Sequence, residues 1–311
     1  KNTDNVIFDF VSKYELDISD KESIVSYFST HNFNYCINCA AYTNVEEAET
    51  NRDLAFKINS EGVKNLAEVC KLNKTVLIHI STDFVFDGKK QEPYIEEDST
   101  NPLNVYGASK LAGEKHVDSI LPSHFIIRTS WLYSVYGKNF VKTIISKIKE
   151  KKKLQIVTTQ VGTPTSCIDL SGFIYFLIKS KTLKFGLYNF SALGQASWYE
   201  FAKQIELQFI NTESNIEAVE NFPSKAIRPI YSVLNNDRAK QLIKVIPKED
   251  VKTLAGIIMP DTVVTSAPLV CEIIALGAQS PKDLKSGDTV LIPKDAAALP
   301  LEEVLPPADD G

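Results

Sequence analysis

Short runs of β-branched and aromatic residues alternate with helical patterns over the first 130 residues of this chain. The strand-like runs are 6–10, 35–39, 76–81 and 124–129, and the helical stretches are 21–30, 45–72 and 105–120. This alternation is typical of βαβ units, which build a parallel sheet covered by helices on both faces. The near-continuous apolar runs fit strands that are buried on both sides. We therefore predict an α/β fold with a doubly wound parallel sheet.

The composition excludes several classes of partner. The chain has 311 residues, of which 44% are hydrophobic and 23% charged, and its net charge is −5. No extended basic surface is available for nucleic acid or anionic lipid. No run reaches the roughly 20 apolar residues of a membrane span, and the polar opening 1–5 lacks the apolar region of a signal peptide. We expect a soluble, cytoplasmic protein that binds neither nucleic acid nor membrane.

The cysteines do not indicate a disulfide framework or a metal site. There are five of them, an odd number, scattered through a large chain. Cys36 and Cys39 form a C-x-x-C on a predicted strand, where residues three apart point to opposite faces. We favour a structural role for this pair over metal or redox chemistry, and we expect no bound metal.

Changes in pattern along the chain predict its domains. We assign residues 1–137 to a dinucleotide-binding domain. A looser mixture of helices (139–152, 167–180, 198–208) and one strand (187–191) predicts a small substrate lobe at 138–246. Short strands at 263–264, 271–275 and 289–292, separated by Gly and Pro turns, predict an all-β module at 247–298. The remaining residues, 299–311, are rich in Pro, Ala and acid and predict a mobile tail.

Tyr106 and Lys110 are the candidate chemical pair. They lie four residues apart on a predicted helix, so their side chains can reach one ligand. A phenol with a pKa of about 10 donates a proton poorly at neutral pH unless a nearby cation stabilises the phenolate, and Lys110 can supply that cation. The alternative is a solvent-facing pair on a helix.

The segment Ser81, Thr82 and Asp83 ends a predicted strand. Hydroxyl and carboxylate groups there lie at the carboxyl edge of the sheet, where open α/β sheets bind ligands. The alternative is that these residues only cap a turn.

Five ordered segments resemble the dTDP-4-dehydrorhamnose reductase family of extended short-chain dehydrogenases/reductases. They are 38–43, 81–83, 101–114, 128–131 and 228–234, within a match over about residues 6–246. The resemblance implies a Rossmann-like fold whose small lobe closes over the sugar. It also implies reduction of the C4 ketone of dTDP-4-dehydro-L-rhamnose to dTDP-L-rhamnose, with NADPH or NADH as the hydride donor.

The same resemblance implies a role for each matched residue. Tyr106 would donate the proton, Thr82 would hydrogen-bond the same oxygen, and Lys110 would complete the catalytic set. The cofactor would contact Asp17, Ile18, Ala40, Ala41, Tyr42, Ile80, Tyr106 and Lys110. The nucleotide sugar would contact Thr82, Asp83 and Trp131. For Trp131 the alternative is an ordinary core aromatic, and we expect His79 to be a core histidine rather than a catalyst.

The sequence departs from the family at the cofactor's phosphate loop. No Gly-rich loop follows a first strand, and the chain opens close to the family's second strand. We infer that the first βα unit is missing and, because Lys1 is not methionine, hypothesise that the chain is a fragment. Ser12 and Lys13 occupy the position, at the end of the family's second strand, where an acidic residue often binds the 2′-hydroxyl of NAD. A cation at this position favours NADPH, because its 2′-phosphate is negatively charged.

The C-terminal part departs from the family as well. Residues 237–295 resemble the ten-kilodalton co-chaperonin, although the end of that pattern is not kept at 295–298. The resemblance implies that Ile257, Ile258 and Met259 contact a large chaperonin ring; a buried turn is the alternative. Candidate partners are therefore a nucleotide-sugar substrate, a second copy in a homodimer, and a chaperonin ring. A catalytically idle regulatory subunit of the same fold is the alternative function.

Overall fold

A computed structural model describes residues 6–209, 216–245, 269–272 and 289–292. The helices are α1 Lys21–Thr30, α2 Val45–Ala48, α3 Arg52–Phe56, α4 Val63–Leu72, α5 Val105–Ile120, α6 Phe140–Lys149, α7 Cys167–Ser180, α8 Trp198–Phe209 and α9 Asp237–Val245. The strands are β1 Tyr35–Asn38, β2 Val76–Thr82, β3 His124–Thr129, β4 Leu132–Tyr133, β5 Leu154–Val157, β6 Val161–Gly162, β7 Thr165–Ser166, β8 Gly186–Asn189, β9 Ala196–Ser197, β10 Ile216–Val219, β11 Leu269–Glu272 and β12 Thr289–Ile292.

A parallel sheet with the strand order β1-β2-β3-β8 forms the centre of the fold. One face packs against α1, α4 and α5 through a cluster that includes Leu77, Val117 and Ile126. The other face packs against α7 and α9 through a cluster that includes Phe125 and Phe173. Helices therefore cover both faces of the sheet, and the predicted α/β class with a parallel, Rossmann-like sheet is confirmed.

The predicted first strand, 6–10, is not a strand in the structure. Val6 and Phe8 nevertheless pack against the cluster that contains Phe125. A β-strand needs a hydrogen-bonded neighbour, and within the described residues no strand pairs with this segment. Ile7 and Phe10 are exposed, so the segment is buried on one side only, and the prediction of a strand buried on both sides is wrong.

The predicted helix 45–72 is divided in the structure. Asn44 caps α2, its side chain accepting from the backbone NH of Glu47, but Asn51 has non-helical angles (φ −116°, ψ 46°) and separates α2 from α3. The segment Lys57–Gly62 then adopts π-helical geometry before α4 begins. This widened turn lies directly beside the candidate site, where π-helical turns often occur.

Within the predicted lobe, a separate small cluster is built from two stretches of chain. Helices α6 and α8 pack together with the pair β5–β10 around Ile144, Ile148 and Ile205. Between these stretches the chain returns to the central sheet, because α7 packs on the sheet and β8 pairs with β3. The lobe predicted at 138–246 is thus interrupted by two elements of the main domain.

Helix α9 was not predicted from the sequence. Its residues Ala239 and Leu242 are buried in the same cluster as Phe173, so α9 completes one face of the sheet. The resemblance to the co-chaperonin was placed from 237 onward, and its first nine residues are instead a helix of the α/β fold.

Farther along, β11 pairs with β12 in antiparallel register, so the predicted strand 289–292 is present and the one predicted at 271–275 lies at 269–272. Ile257, Ile258, Met259, the strand predicted at 263–264 and the tail at 299–311 lie outside the described residues. No helix in the described part of the chain is long and apolar enough to cross a membrane.

Candidate active site

Helix α5 is held with its first turn against the carboxyl end of β2. The Asn104 side chain caps the helix, accepting from the backbone NH of Gly107 at 2.8 Å and donating to the Ile227 carbonyl at 2.8 Å. A Cβ atom at position 107 would lie 2.2 Å from the Phe84 carbonyl oxygen. Only glycine permits this approach, which brings Tyr106 beside the residues that follow β2.

Tyr106 is half-buried, with Phe84 against the edge of its ring at 5.9 Å. It shares a small apolar cluster with Tyr42 and Phe56. Burial raises the pKa of its phenol to about 12, a hydrogen bond with the Thr82 side chain lowers that pKa, and the nearby Asp83 carboxylate raises it. The structure thus brings Tyr106 and Thr82 together as the resemblance implied.

Lys110 is almost completely buried, with 2% of its surface exposed. Its Nζ donates to the Ile80 carbonyl at 2.6 Å rather than to the Tyr106 hydroxyl. Burial lowers the pKa of the ammonium to about 8, while the charges of Glu114 and Cys39 raise it. Lys110 is therefore a cation near neutral pH, anchored to the strand that ends in Thr82.

Thr82 and Asp83 are both buried at the end of β2. The Thr82 hydroxyl donates to Asp83 Oδ1 at 3.1 Å and accepts from the Phe84 backbone NH at 3.2 Å, so it also caps the 3₁₀ turn Asp83–Val85. Burial raises the pKa of the Asp83 carboxyl to about 6, although hydrogen bonds from Ser232 and Thr82 lower it. Asp83 Oδ2 has no hydrogen-bond partner within the described residues. Turn capping and ligand contact are thus compatible at this segment.

The loop after β1 carries Ala40, Ala41 and Tyr42. The side chain of Asn59, in the π-helical segment, accepts from the Tyr42 NH at 2.8 Å and donates to the Tyr42 carbonyl at 3.0 Å. It also lies 2.9 Å from the Ser109 hydroxyl on α5. Ala40 is exposed, so this part of the loop is open to a ligand. Asn59 was not predicted as a site residue, because an asparagine inside a helical pattern gives no sign of such contacts.

Three other predicted cofactor contacts, Asp17, Ile18 and Ile80, differ in accessibility. The Asp17 carboxylate accepts from the Ser19 NH at 2.9 Å, and this hydrogen bond lowers the pKa of the carboxyl. The Ile18 side chain is buried against Gly62, and its carbonyl accepts from the Asn65 side chain at 3.3 Å, so a contact of Ile18 with the cofactor stays a prediction. The Ile80 side chain is half-buried, and its carbonyl binds Lys110.

Trp131 has one indole face covered. It stacks on Trp198 with ring centroids 3.5 Å apart, and Gly162 lies directly against it. Its backbone has the left-handed angle φ 47°, which is strained for a residue with a side chain and often marks a functional site. Packing on Trp198 therefore explains the burial of part of the Trp131 side chain. A contact between Trp131 and the sugar stays a prediction.

His79 has the environment of a core histidine. It is fully buried, its Nδ1 lies 3.1 Å from the Asn38 amide nitrogen, and burial together with Lys110 and His124 holds its pKa well below the usual value. A neutral imidazole with no path to solvent is consistent with the structural role expected for it. Among the described residues, no group of three or more His, Cys, Asp or Glu side chains is arranged to hold a metal ion.

Comparisons with known proteins identify the family of this chain. A family model described as the RmlD substrate binding domain matches residues 2–260. A dTDP-4-dehydrorhamnose reductase of Aggregatibacter actinomycetemcomitans is 34% identical over 78% of this chain and 86% of that protein. The reductase of Sinorhizobium fredii is 39% identical over 66% of this chain and 73% of that protein.

Solved structures give the same result. The dTDP-4-dehydrorhamnose reductase of Bacillus anthracis in complex with NADP has a TM-score of 0.70 and 40% identity, covering 75% of this chain and 81% of that one. The orthologue from Clostridium acetobutylicum has a TM-score of 0.70 and 39% identity, covering 78% and 87%. The sheet, the helix carrying Tyr106 and these similarities lead to one conclusion: the chain belongs to the family of the RmlD substrate binding domain.

Proposed function

We infer that this chain is an NAD(P)H-dependent oxidoreductase of dTDP-rhamnose biosynthesis, which reduces the C4 ketone of dTDP-4-dehydro-L-rhamnose to the alcohol. The observation that carries this inference is the Tyr106 hydroxyl, hydrogen-bonded to Thr82 at the end of β2, with the buried ammonium of Lys110 one helical turn farther along α5. The two solved structures named above share this fold, and both are described as dTDP-4-dehydrorhamnose reductases. An idle regulatory subunit would have no need to keep all three.

The residues present fit a nicotinamide cofactor. Exposed Ala40 and the adjoining Ala41 leave room beside a loop that is fixed by Asn59, and Lys110 lies at the base of the same space. When bound, the nicotinamide supplies the hydride for the carbon of the ketone. We propose that Ala40, Ala41, Tyr42 and Lys110 hold this end of the cofactor, and that Lys13 favours NADPH through its positive charge.

On the substrate side, the protein completes the reduction with one proton. As hydride reaches C4, negative charge develops on the carbonyl oxygen. Tyr106 donates its phenolic proton to that oxygen, and Thr82 holds the oxygen in place by a hydrogen bond. The positive charge of Lys110 stabilises the phenolate that Tyr106 becomes. Asp83, with one oxygen unpaired among the described residues, is placed to accept from a sugar hydroxyl.

The test is the oxidation of NADPH in the presence of the nucleotide sugar. Tyr106→Phe should lower kcat about a hundredfold or more, because the proton donor is lost while the ring is kept. Tyr27→Phe is the matched control, since its hydroxyl donates to Asp9 on the outer surface near α1. Equal rates for Tyr106→Phe and the unmodified chain would show that Tyr106 is not the proton donor, and a preference for NADH would contradict the role of Lys13.

We propose a second, separate binding role for the C-terminal part, supported by the antiparallel pair β11–β12. Ile257, Ile258 and Met259 would contact a chaperonin ring. Co-sedimentation with a purified ring that is lost on Ile258→Asp would support this role, and co-sedimentation unchanged by Ile258→Asp would contradict it. The proposed homodimer is checked separately by the sedimentation velocity of the chain alone.

A further inference from the structure

A buried ion pair lies directly beneath the proposed catalytic residues. Arg128 on β3 donates from Nε to both Glu114 oxygens, at 3.0 and 3.2 Å, and from Nη2 to Oε2 at 2.7 Å. The side chains are 4% and 5% exposed. The Ser81 hydroxyl also donates to Glu114, at 2.5 Å. One carboxylate thus joins α5, β2 and β3 through charge-assisted hydrogen bonds.

Stability alone does not account for this pair. Removing two charges from water is costly, and replacing a buried pair with apolar residues of similar size is often neutral or stabilising. Here the cost is higher still, because Arg128 Nη1 has no hydrogen-bond partner within the described residues. The guanidinium recovers part of that cost by lying 5.1 Å from the centre of the Phe86 ring. An interaction this costly points to a role in the site above it.

The three elements that the pair joins are those that carry the proposed chemistry. Glu114 lies one helical turn beyond Lys110 on α5, whose first turn holds Tyr106. Ser81 immediately precedes Thr82 on β2. Arg128, near the end of β3, lies three residues before Trp131. A shift of the Glu114 carboxylate would therefore move Tyr106, the proposed proton donor, relative to Thr82.

The pair also affects the charge of Lys110. The groups whose charge acts on this ammonium are Glu114 on its own helix, Cys39 after β1 and His79 on β2, and the Glu114 carboxylate is itself bound to the positive charge of Arg128. His79 is neutral, and burial raises the pKa of the Cys39 thiol, so neither supplies a full negative charge at neutral pH. The carboxylate of Glu114 is left to support the buried cation.

We propose that Glu114 and Arg128 are a positioning pair, which fixes α5 against β2 and β3 and places the Glu114 carboxylate one helical turn from the Lys110 ammonium. The pair acts through Lys110 and Tyr106 and does not touch the substrate. This inference rests on the proposed function for its kinetic consequence, but the titration of Lys110 can be measured without turnover.

The test compares Glu114→Gln with the unmodified chain. The substitution keeps the shape and removes the negative charge, leaving Arg128 unbalanced, so Lys110 should lose its proton at a pH lower by about one unit or more. In the ¹⁵N NMR titration of the Lys110 ammonium this appears as a shifted midpoint. In kinetics, the alkaline limb of kcat should move to lower pH, kcat should fall about tenfold, and KM for the nucleotide sugar should change little.

Three further variants separate the effect of the Glu114 charge on Lys110 from a general loss of structure. Glu114→Asp keeps the charge and should restore most of the midpoint. Glu68→Gln, which removes a carboxylate paired with Lys21 on the outer surface, is the matched control and should leave it unchanged. If Glu114→Gln does not fold, the double variant Glu114→Gln/Arg128→Met removes both charges together and should still lower the midpoint.

A Lys110 midpoint unchanged in Glu114→Gln, or in the double variant if that one alone folds, would overturn the proposal. If the midpoint shifts while neither the variants nor the unmodified chain oxidise NADPH, the proposed function fails and the effect of Glu114 on Lys110 stands.

Discussion

Asn59 joins the loop after β1 to the helix that carries Tyr106. Its amide accepts from the Tyr42 NH at 2.8 Å, donates to the Tyr42 carbonyl at 3.0 Å, and lies 2.9 Å from the Ser109 hydroxyl. The amide needs both a donor and an acceptor for this arrangement, and Asn59 is fully buried. The proposed nicotinamide loop and the proton donor are therefore held in one hydrogen-bonded unit.

Asn59→Asp should disrupt that unit with almost no change in size. A carboxylate cannot donate to the Tyr42 carbonyl, and a buried polar group left unpaired costs about 1–3 kcal/mol. We expect this loss in the free energy of unfolding and a rise of about tenfold in KM for NADPH, with a smaller change in KM for the nucleotide sugar. Asn73→Ala, at the end of α4, is the control for loss of an asparagine contact. Unchanged KM values for both substrates would show that the loop does not depend on Asn59.

Asn59 also shows what sequence patterns could and could not predict. Helices at 21–30, 105–120 and 167–180 were predicted with their observed ends, because polar caps and apolar spacing mark such helices locally. The break at Asn51 and the π-helical turn around Asn59 depend on contacts with Tyr42 and with α5, far along the chain. Local patterns contain no information about those contacts.

The candidate site was predictable to a similar degree. The positions of Tyr106, Thr82 and Asp83 followed from a helix and a strand end, and the structure brings them together. The partner of the Lys110 ammonium was not predictable, because the Ile80 carbonyl that it binds belongs to another element. The stacking of Trp131 on Trp198 likewise joins two residues 67 positions apart in sequence.

A second prediction concerns Glu46, whose side chain joins α2 to the loop 224–228. Its carboxylate contacts Arg228 Nη2 at 2.6 Å, the Ser224 hydroxyl at 2.6 Å and the Lys225 NH at 2.8 Å. Although burial opposes the change, the hydrogen bonds from Ser224, Lys225 and Arg228 and the charge of Arg228 lower the pKa of Glu46 to about 2. A lowered carboxyl pKa stabilises the fold above the unfolded-state pKa of about 4.3.

That contribution should be present above about pH 5 and lost as the pH falls from there towards 2. Because 39% of the Glu46 side chain is exposed, we expect only about 1 kcal/mol after solvent screening. Glu46→Gln should therefore be less stable than the unmodified chain at pH 7, and this difference should be clearly smaller at pH 3, in urea unfolding at both values. Glu22→Gln, on α1, is the control. A stability difference that does not depend on pH would contradict this role of the Glu46 charge.

A third prediction follows from the buried imidazole of His79. Its pKa is held well below the usual value, so the unfolded chain binds a proton more readily than the folded chain does. The stability that depends on a neutral His79 is present above about pH 6.5, the ordinary pKa of histidine, and is lost as the pH falls below it. His79→Gln, which cannot be protonated, should remove this part of the pH dependence between pH 7.5 and 5.

Thermal unfolding over that range checks the prediction for His79. His31, an exposed histidine stacked on Tyr27, provides the control variant His31→Gln, which should keep the pH dependence of the unmodified chain. Identical slopes of Tm against pH for His79→Gln and the unmodified chain would show that His79 is not the group responsible.

The last prediction concerns the close backbone approach between Gly107 and Phe84. An alanine at position 107 would place its Cβ 2.2 Å from the Phe84 carbonyl oxygen and 3.1 Å from Pro102 Cβ. Backbone cannot yield as a flexible side chain can, so the first turn of α5 must move away from β2. Overpacking of this kind costs about 1–3 kcal/mol. Because Tyr106 is the preceding residue, kcat should fall together with stability.

Ala108→Gly is the control for Gly107→Ala, because it weakens α5 without displacing it. A glycine inside a helix costs about 1 kcal/mol through backbone entropy but pushes nothing aside, so kcat should be retained while Tm falls. Gly107→Ala should instead lower both, and the loss of kcat should persist at temperatures where the variant is fully folded. Measurement of Tm by calorimetry and kcat with NADPH distinguishes the two variants. If Gly107→Ala kept kcat while losing stability, the contact between Gly107 and Phe84 would serve the fold alone and would not set the position of Tyr106 against Thr82.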